Sequence, residues 1–120
     1  MRLEDQVVGL ELAKRLKELE VTGNSLFHWV QWSGKDWTVC SREILSFSEN
    51  KEVLTRVMAL GVAELGKILP PNTASWKGDD SDLWYCMQDE KEDAIFRGKT
   101  EADARAKMLI HLIEKGIVTP

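Results

Sequence analysis

The sequence predicts an α+β protein: an antiparallel sheet of about four to five strands with helices packed mainly on one face. Two observations predict this class. Apolar residues recur with helical spacing near both ends and in the middle of the 120-residue chain. Between these segments lie short aromatic and β-branched runs joined by brief polar turns, as in antiparallel pairing. The length fits a single domain, residues 1–120.

The first predicted helix covers Asp5–Leu19, where Val8, Leu12 and Leu16 follow one stripe. Residues 50–69 also keep helical spacing, and Pro70 ends the pattern. Gly61 is unfavourable in a helix interior, so one helix and two helices both stay open for this segment.

The third predicted helix spans residues 100–116. Thr100 is expected to cap it by accepting from the N–H of Asp103, and Gly116 to end it in the left-handed conformation. Two acid–base pairs at helical spacing, Glu101–Arg105 and Asp103–Lys107, are expected along the outside. His111 is placed opposite the apolar arc, which consists of Ala102, Ala106, Leu109, Ile110, Leu112 and Ile113.

A hairpin is predicted from Leu26–Trp32 and Trp37–Cys40, joined by a four-residue loop. The expected register sets Trp32 opposite Trp37 and puts His28 on the same face. Because this pair lies beside a polar loop, Trp32, Trp37 and His28 are the predicted interaction surface for a partner.

Three further strands, Ala74–Lys77, Leu83–Gln88 and Ala94–Arg97, are predicted to form a meander. Seven acidic residues and two lysines fall within residues 77–93, so the formal charge of −4 is concentrated there. The segment lacks the alternating ligands and closing Glu of a calcium loop. Whether this acidic hairpin is functional or only solvated stays open.

Composition narrows the functional classes. Hydrophobic residues make up 43% and charged residues 30%, typical of a soluble protein with a core. The chain shows no signal-peptide pattern and no apolar run of transmembrane length, and Cys40 and Cys86 are expected to be free thiols in a cytoplasmic protein. We find no metal-ligand spacing, cofactor fingerprint or catalytic motif, so no cofactor is predicted and an enzyme is not favoured.

Three segments, ELAKRLKELEV, AELGKILP and TEADARAKMLIHLIEKGIV, resemble a group of small uncharacterised proteins of bacteriophages, prophages and bacterial mobile regions. The chain departs from the group at Glu20, where a glycine is usual, and before the AELG segment, where a Thr-capped turn is usual. The resemblance implies a bacterial or phage cytoplasmic origin and carries no activity and no catalytic residues.

The leading expectation is therefore a non-enzymatic phage-type accessory protein that acts by protein–protein contact, with a homodimer as one form of that contact. One alternative is a nucleic-acid-binding module that uses a basic edge formed by Arg97, Lys99, Arg105 and Lys107. Another is a small-ligand-binding protein, which requires a concave pocket with convergent polar groups.

Overall fold

A computed structural model describes residues 2–21, 25–32, 36–41, 53–70, 73–79, 82–88 and 95–119. These ranges hold two three-stranded antiparallel sheets. The helices are α1 (Leu3–Gln6), α2 (Leu10–Glu18), α3 (Val62–Ile68) and α4 (Glu101–Glu114). The strands are β1 (Phe27–Trp32), β2 (Trp37–Ser41), β3 (Val53–Met58), β4 (Thr73–Lys77), β5 (Trp84–Gln88) and β6 (Ile95–Gly98).

The α+β class is confirmed, whereas the single sheet of four to five strands is wrong. The first sheet has the order β2-β1-β3 and the second the order β4-β5-β6. The error has one main source, which is the unpredicted strand β3. It pairs with β1 and completes a sheet separate from the C-terminal meander.

The prediction of helix throughout residues 50–69 is wrong in its first half. Val53–Met58 is a strand, and helix begins only at Val62. The apolar residues of this segment keep helical spacing, but the β-branched residues Val53, Thr55 and Val57 favour a strand, and pairing with β1 stabilises it. Residues 50–52 lie outside the described residues.

The first predicted helix is broken into α1 and α2. Val7 forms an antiparallel bridge with Gly61, and the N–H of Val8 donates to the carbonyl oxygen of Leu60 at 2.8 Å. A backbone group that pairs with a neighbouring extended segment cannot also pair within a helix, so the helix is interrupted and resumes at Leu10.

The predicted hairpin exists, but its register is displaced by one residue. Trp37 lies opposite Gln31, and Val39 lies opposite Trp29. Since a one-residue slip moves every side chain to the other face, Trp37 shares a face with Trp29 and not with His28. The indole N–H of Trp29 donates to the carbonyl oxygen of Val8 at 2.7 Å. Burial of both indoles against the core therefore determines the register, rather than an aromatic pair beside the loop.

The ends of α4 are as predicted. The hydroxyl of Thr100 accepts from the N–H of Asp103 at 3.1 Å. Gly116 has φ +75°, its N–H donates to Ile113, and the N–H of Ile117 donates to Leu112 at 2.9 Å. These two bonds form a Schellman motif.

Of the two predicted ion pairs on α4, Glu101–Arg105 is present at 3.6 Å. The pair Asp103–Lys107 is not, because both side chains bond elsewhere. Asp103 Oδ1 accepts from the N–H of Gly9 at 2.7 Å, and Lys107 Nζ donates to the carbonyl oxygen of Arg97 at 2.5 Å.

The core centres on α4, which packs on the second sheet and also against α2 and α3. The buried residues of α4 differ in part from the predicted arc: Ala104 and Met108 are buried as well, whereas Ile110 and Ile113 are only half-buried. The full buried set is Ala102, Ala104, Ala106, Met108, Leu109 and Leu112. His111 was expected to face away from the core. It lies instead against β6, with its ring centroid 4.9 Å from that of Phe96. No helix within the described residues is long and apolar enough to cross a membrane.

Gly98 allows α4 to approach β6 closely. A Cβ atom at this position would lie 2.7 Å from the backbone nitrogen of Ala104. Real Cβ atoms do not come that near to a backbone atom, and the neighbour here is a helix backbone that cannot rotate away.

We therefore expect Gly98→Ala to lower the free energy of unfolding by roughly 1–3 kcal/mol, because it forces α4 off the sheet. The matched control is Gly66→Ala. There the added Cβ would meet the tip of the Arg105 side chain, which can move, so a change within about 1 kcal/mol is expected. Urea unfolding followed by circular dichroism measures both values. Equal losses in the two variants would contradict the close-approach argument.

Candidate functional site

A cavity with a volume of about 610 Å³ lies between the two sheets. We call it the inter-sheet cavity. Its apolar wall comprises Val7, Leu26, Phe27, Val62, Ala63 and Trp84. Its polar and charged wall comprises Asp5, Gln6, Glu64, Lys77, Asp82, Lys99, Thr100 and Glu101, with Gly61 at the base. It is the concave pocket with convergent polar groups that a small-ligand function requires.

Glu64 is fixed at one wall of this cavity by two segments of the chain, residues 25–26 and Gly61. Its Oε1 accepts from the N–H of Gly61 at 2.9 Å, and its Oε2 accepts from the N–H of Leu26 at 3.2 Å. The hydroxyl of buried Ser25 lies 3.2 Å from Oε1 and 2.9 Å from the carbonyl oxygen of Ala59. Glu64 thus caps α3 and ties it to the start of β1, and because its partners are neutral groups they do not offset its negative charge.

Glu101 is engaged as well. Its Oε2 accepts from the hydroxyl of Ser75 at 2.6 Å and lies 3.6 Å from Arg105 Nη2. Arg105 Nε donates to the same hydroxyl at 3.0 Å. These contacts join α4 to β4. The charges of Glu101 and Arg105 offset each other there.

Lys77 and Lys99 carry the cationic charge of the cavity. Lys77 lies opposite Trp84, and Trp84 lies opposite Gly98, so these three residues form one row across the sheet. Lys99 is the residue that follows Gly98 in the chain. Two strand spacings separate the outer members of such a row by roughly 10 Å. Both lysines are exposed, and neither has an ion pair with any residue that the structure describes.

A second candidate is the outer face of the second sheet, the face that does not pack on α4. Its residues lie in two rows across the three strands, Trp76–Tyr85–Arg97 and Ala74–Met87–Ile95. The rings of Trp76 and Tyr85 stack with their centroids 5.8 Å apart. Trp76 is 40% and Ile95 52% exposed. A solvated sheet face is normally polar. Of these six residues only Arg97 is charged, so the face is unusually apolar.

The predicted interaction surface of Trp32, Trp37 and His28 is divided by the observed register. Trp37 packs against the core and is covered by Lys14, whose Nζ lies 5.2 Å from the ring centroid. His28 is half-buried and lies opposite Cys40 and Met58 on the other face. Trp32 lies opposite Val53 at the end of β1, and its side chain is outside the described set. A shared contact surface for these three stays a prediction.

The four basic residues of the predicted nucleic-acid edge have different surroundings. Arg105 is turned into the contact with Ser75 and Glu101, and Lys107 bonds to the backbone of Arg97. Arg97 lies on the outer face of the second sheet, and Lys99 lies at the inter-sheet cavity. Nucleic-acid binding by this set stays a prediction.

The cysteines are free thiols, and Cys86 is buried at the contact of β5 with α4. Burial raises the pKa of the Cys86 thiol to about 11, while the Arg105 guanidinium opposes and the Glu101 carboxylate adds to that shift. A thiol with so high a pKa is a poor nucleophile at neutral pH. Within the described ranges, no group of three or more His, Cys, Asp or Glu residues is arranged to hold a metal ion.

The acidic hairpin is described only in part. Asp79 and Asp82 are exposed, and Asp82 lines the inter-sheet cavity. The other five acids of residues 77–93 lie outside the described residues: Asp80, Asp89, Glu90, Glu92 and Asp93. Ala94, the first residue of the predicted third meander strand, lies outside them as well.

Two features of the site were missed in the sequence. The capping role of Glu64 has a local signal, since an acid three residues after Gly61 is the capping-box spacing. The placement of Lys77 and Lys99 at one cavity has none, because it depends on the pairing of three strands and on the first sheet facing them.

Comparisons with protein-family models, with curated protein sequences and with solved structures give no match for this chain.

The raised pKa of Cys86 predicts a pH dependence of stability. The folded state favours the neutral thiol, so this contribution is complete below the ordinary pKa of 9.0 and is lost as pH rises through about 11. The loss should reach roughly 2–3 kcal/mol in the free energy of unfolding, measured relative to a Cys86→Ala variant. Denaturant unfolding of both proteins across this pH range checks it. Cys40→Ala retains Cys86 and should follow the wild type, and identical pH slopes for wild type and Cys86→Ala would contradict the prediction.

Proposed function

We propose that the chain is a small non-enzymatic binding protein that acts by protein–protein contact, and that its contact surface is the outer face of the second sheet. The observation that carries this proposal is the exposed ring of Trp76, stacked on half-buried Tyr85, together with exposed Ile95 on the same face. Aromatic residues are enriched at protein interfaces, and apolar side chains on an open sheet face lose that exposure when a partner covers them.

The partner we propose is a second copy of the chain. A two-fold axis parallel to β5 turns the sheet over so that β4 of one copy lies on β6 of the other. Each Trp76 then faces Arg97 of the second copy, and each Ile95 faces the small side chain of Ala74. The first contact is a cation–π pair, the second fits a large residue to a small one, and the two arginines stay apart.

Sheet-on-sheet packing is a common way to bury such faces, since two twisted antiparallel sheets stack about 10 Å apart with interdigitating side chains. The opposite face of this sheet is already covered by α4. Self-association would therefore bury both faces of the second sheet, one under α4 and the other under the second copy.

A phage or prophage origin and a cytoplasmic location belong to the same proposal. The resemblance of the three segments supports the origin, and two free cysteines are consistent with a reducing compartment. The engagement of Ser75 with Glu101 and Arg105, and the high pKa of the Cys86 thiol, favour a binding role over nucleophilic catalysis.

The proposal predicts that the wild-type protein dimerises and that Ile95→Asp raises the dimer dissociation constant at least about tenfold, because it places a carboxylate in apolar contact with Ala74 of the second copy. Analytical ultracentrifugation over a concentration series measures the constant. Ile117→Asp is the matched control, since Ile117 is equally exposed, at 52%, but lies beyond the end of α4.

Circular dichroism of Ile95→Asp must match the wild type for the comparison to count. A wild-type protein that stays monomeric at every concentration, or equal effects of Ile95→Asp and Ile117→Asp, would refute self-association through this face.

A further inference from the structure

We infer that the inter-sheet cavity is a binding site for a small organic cation, namely a protonated amine attached to a flat apolar body. This function goes beyond self-association and uses a different surface. The cavity volume of about 610 Å³ lies within the range of small-molecule sites, roughly 300–1,000 Å³.

The apolar wall of the cavity favours a ligand with a hydrophobic body. Leu26, which lines the cavity, is 59% exposed. Phe27 from the first sheet and Trp84 from the second line the same space, and both are only half-buried. An occupant with a flat apolar body would cover these side chains, which favours binding through removal of apolar surface from water.

Carboxylates outnumber ammonium groups on the wall, so the formal charge of the lining is −2. The acidic and basic residues of the lining are Asp5, Glu64, Asp82, Glu101, Lys77 and Lys99. Asp5 and Glu101 are each paired with an arginine outside the lining, at 3.5 Å and 3.6 Å. Glu64 and Asp82 form no ion pair with any residue that the structure describes.

Glu64 is the carboxylate that binds the ammonium group of the ligand. It is half-buried, and its hydrogen-bond donors are the N–H groups of Gly61 and Leu26 and the hydroxyl of Ser25. These neutral groups hold the carboxylate in place and leave its charge uncompensated. Two of the bonds go to Oε1 and one to Oε2, whereas a carboxylate accepts about four. Oε2 therefore retains an acceptor position for a charge-assisted bond from an ammonium group.

The two lysines of the lining do not compensate Glu64. Lys77 and Lys99 are both exposed, and neither lies within ion-pair distance of it. A lysine side chain is long and flexible, so its ammonium group can extend into water, whereas Glu64 is held by three hydrogen bonds. The charge that the described residues fix beside the apolar wall without a counter-ion is therefore negative, and it attracts a cation.

The carboxylate and the apolar wall are close enough to contact one ligand. Leu26 donates its N–H to Glu64, Phe27 is the next residue in the chain, and Val62 lies in the same turn of α3 as Glu64. An ammonium group on Glu64 thus places its attached body against these apolar residues, with Trp84 on the other wall. Aromatic side chains also attract cations through their ring faces. Arylalkylamines, in which a short chain joins an aromatic ring to a protonated nitrogen, have this chemistry.

The test is isothermal titration calorimetry of the full chain with probes that share an indole ring and differ in charge. At neutral pH tryptamine is a cation, tryptophol is neutral and indole-3-propionate is an anion, and methylammonium is the cation without a body. We expect tryptamine to bind with a dissociation constant below about 1 mM, and the other probes at least about tenfold more weakly. The inference is overturned if tryptamine does not bind, or if any of the other probes binds as tightly.

A first variant tests the role of Glu64. Glu64→Gln removes the charge but keeps an oxygen that can accept from the N–H of Gly61, and it should weaken tryptamine binding at least about tenfold. Circular dichroism and the melting temperature show whether α3 keeps its cap. Wild-type affinity in a folded Glu64→Gln variant would overturn the assignment.

A second variant leaves the cap of α3 intact. Lys77→Met with Lys99→Met removes two positive charges from the lining and should tighten tryptamine binding at least about twofold, because it removes repulsion of the cation. The matched control is Lys17→Met with Lys67→Met, which changes the net charge equally at exposed positions outside this cavity. The control should change the affinity less. Affinity in the Lys77/Lys99 variant that is no tighter than in the control would contradict a cation site in this cavity.

Discussion

The close approach of α4 to its neighbours is the constraint on which the rest of the structure depends. Gly98 lets the helix backbone lie directly on β6, and three buried alanines, Ala102, Ala104 and Ala106, keep its first turns narrow. The small size of these residues therefore determines how near α4 lies to the second sheet. Asp103, in the same turn of the helix, accepts from the N–H of Gly9 at 2.7 Å and fixes the start of α2.

This constraint also creates the open surfaces of the molecule. Because α4 covers one face of the second sheet, the Trp76 face is left outward, and because the first sheet is bound through α1, α2 and α3, a gap remains between the sheets. Glu64 and Glu101, one on each side of that gap, both direct their carboxylates toward the protein. The charged groups on the wall thus include some that build the fold and others, Lys77, Lys99 and Asp82, that have no ion pair among the described residues.

The sequence predicted best where structure is decided locally. Thr100 and Gly116 bound α4 as expected, since capping depends on residues within one turn. The predictions failed where contacts between segments distant in the chain decide the structure. Val7 leaves the helical pattern to pair with Gly61, Val53–Met58 becomes a strand because β1 is available beside it, and Trp37 shifts register so that it can be buried with Trp29. The inter-sheet cavity belongs to the second kind, because its walls come from both sheets and three helices.

The capping of α3 has a consequence for local opening. A seven-residue helix is too short to be stable alone, and Glu64 joins its first turn to Ser25 and Leu26, which lie almost forty positions earlier in the chain. Docking of residues 25–26 therefore adds to the stability that α3 gains from packing on α4, and opening of that segment should loosen the helix. Native-state amide exchange would then report residues 59–69 and the start of β1 opening together, as one cooperative unit rather than as a helix that frays independently.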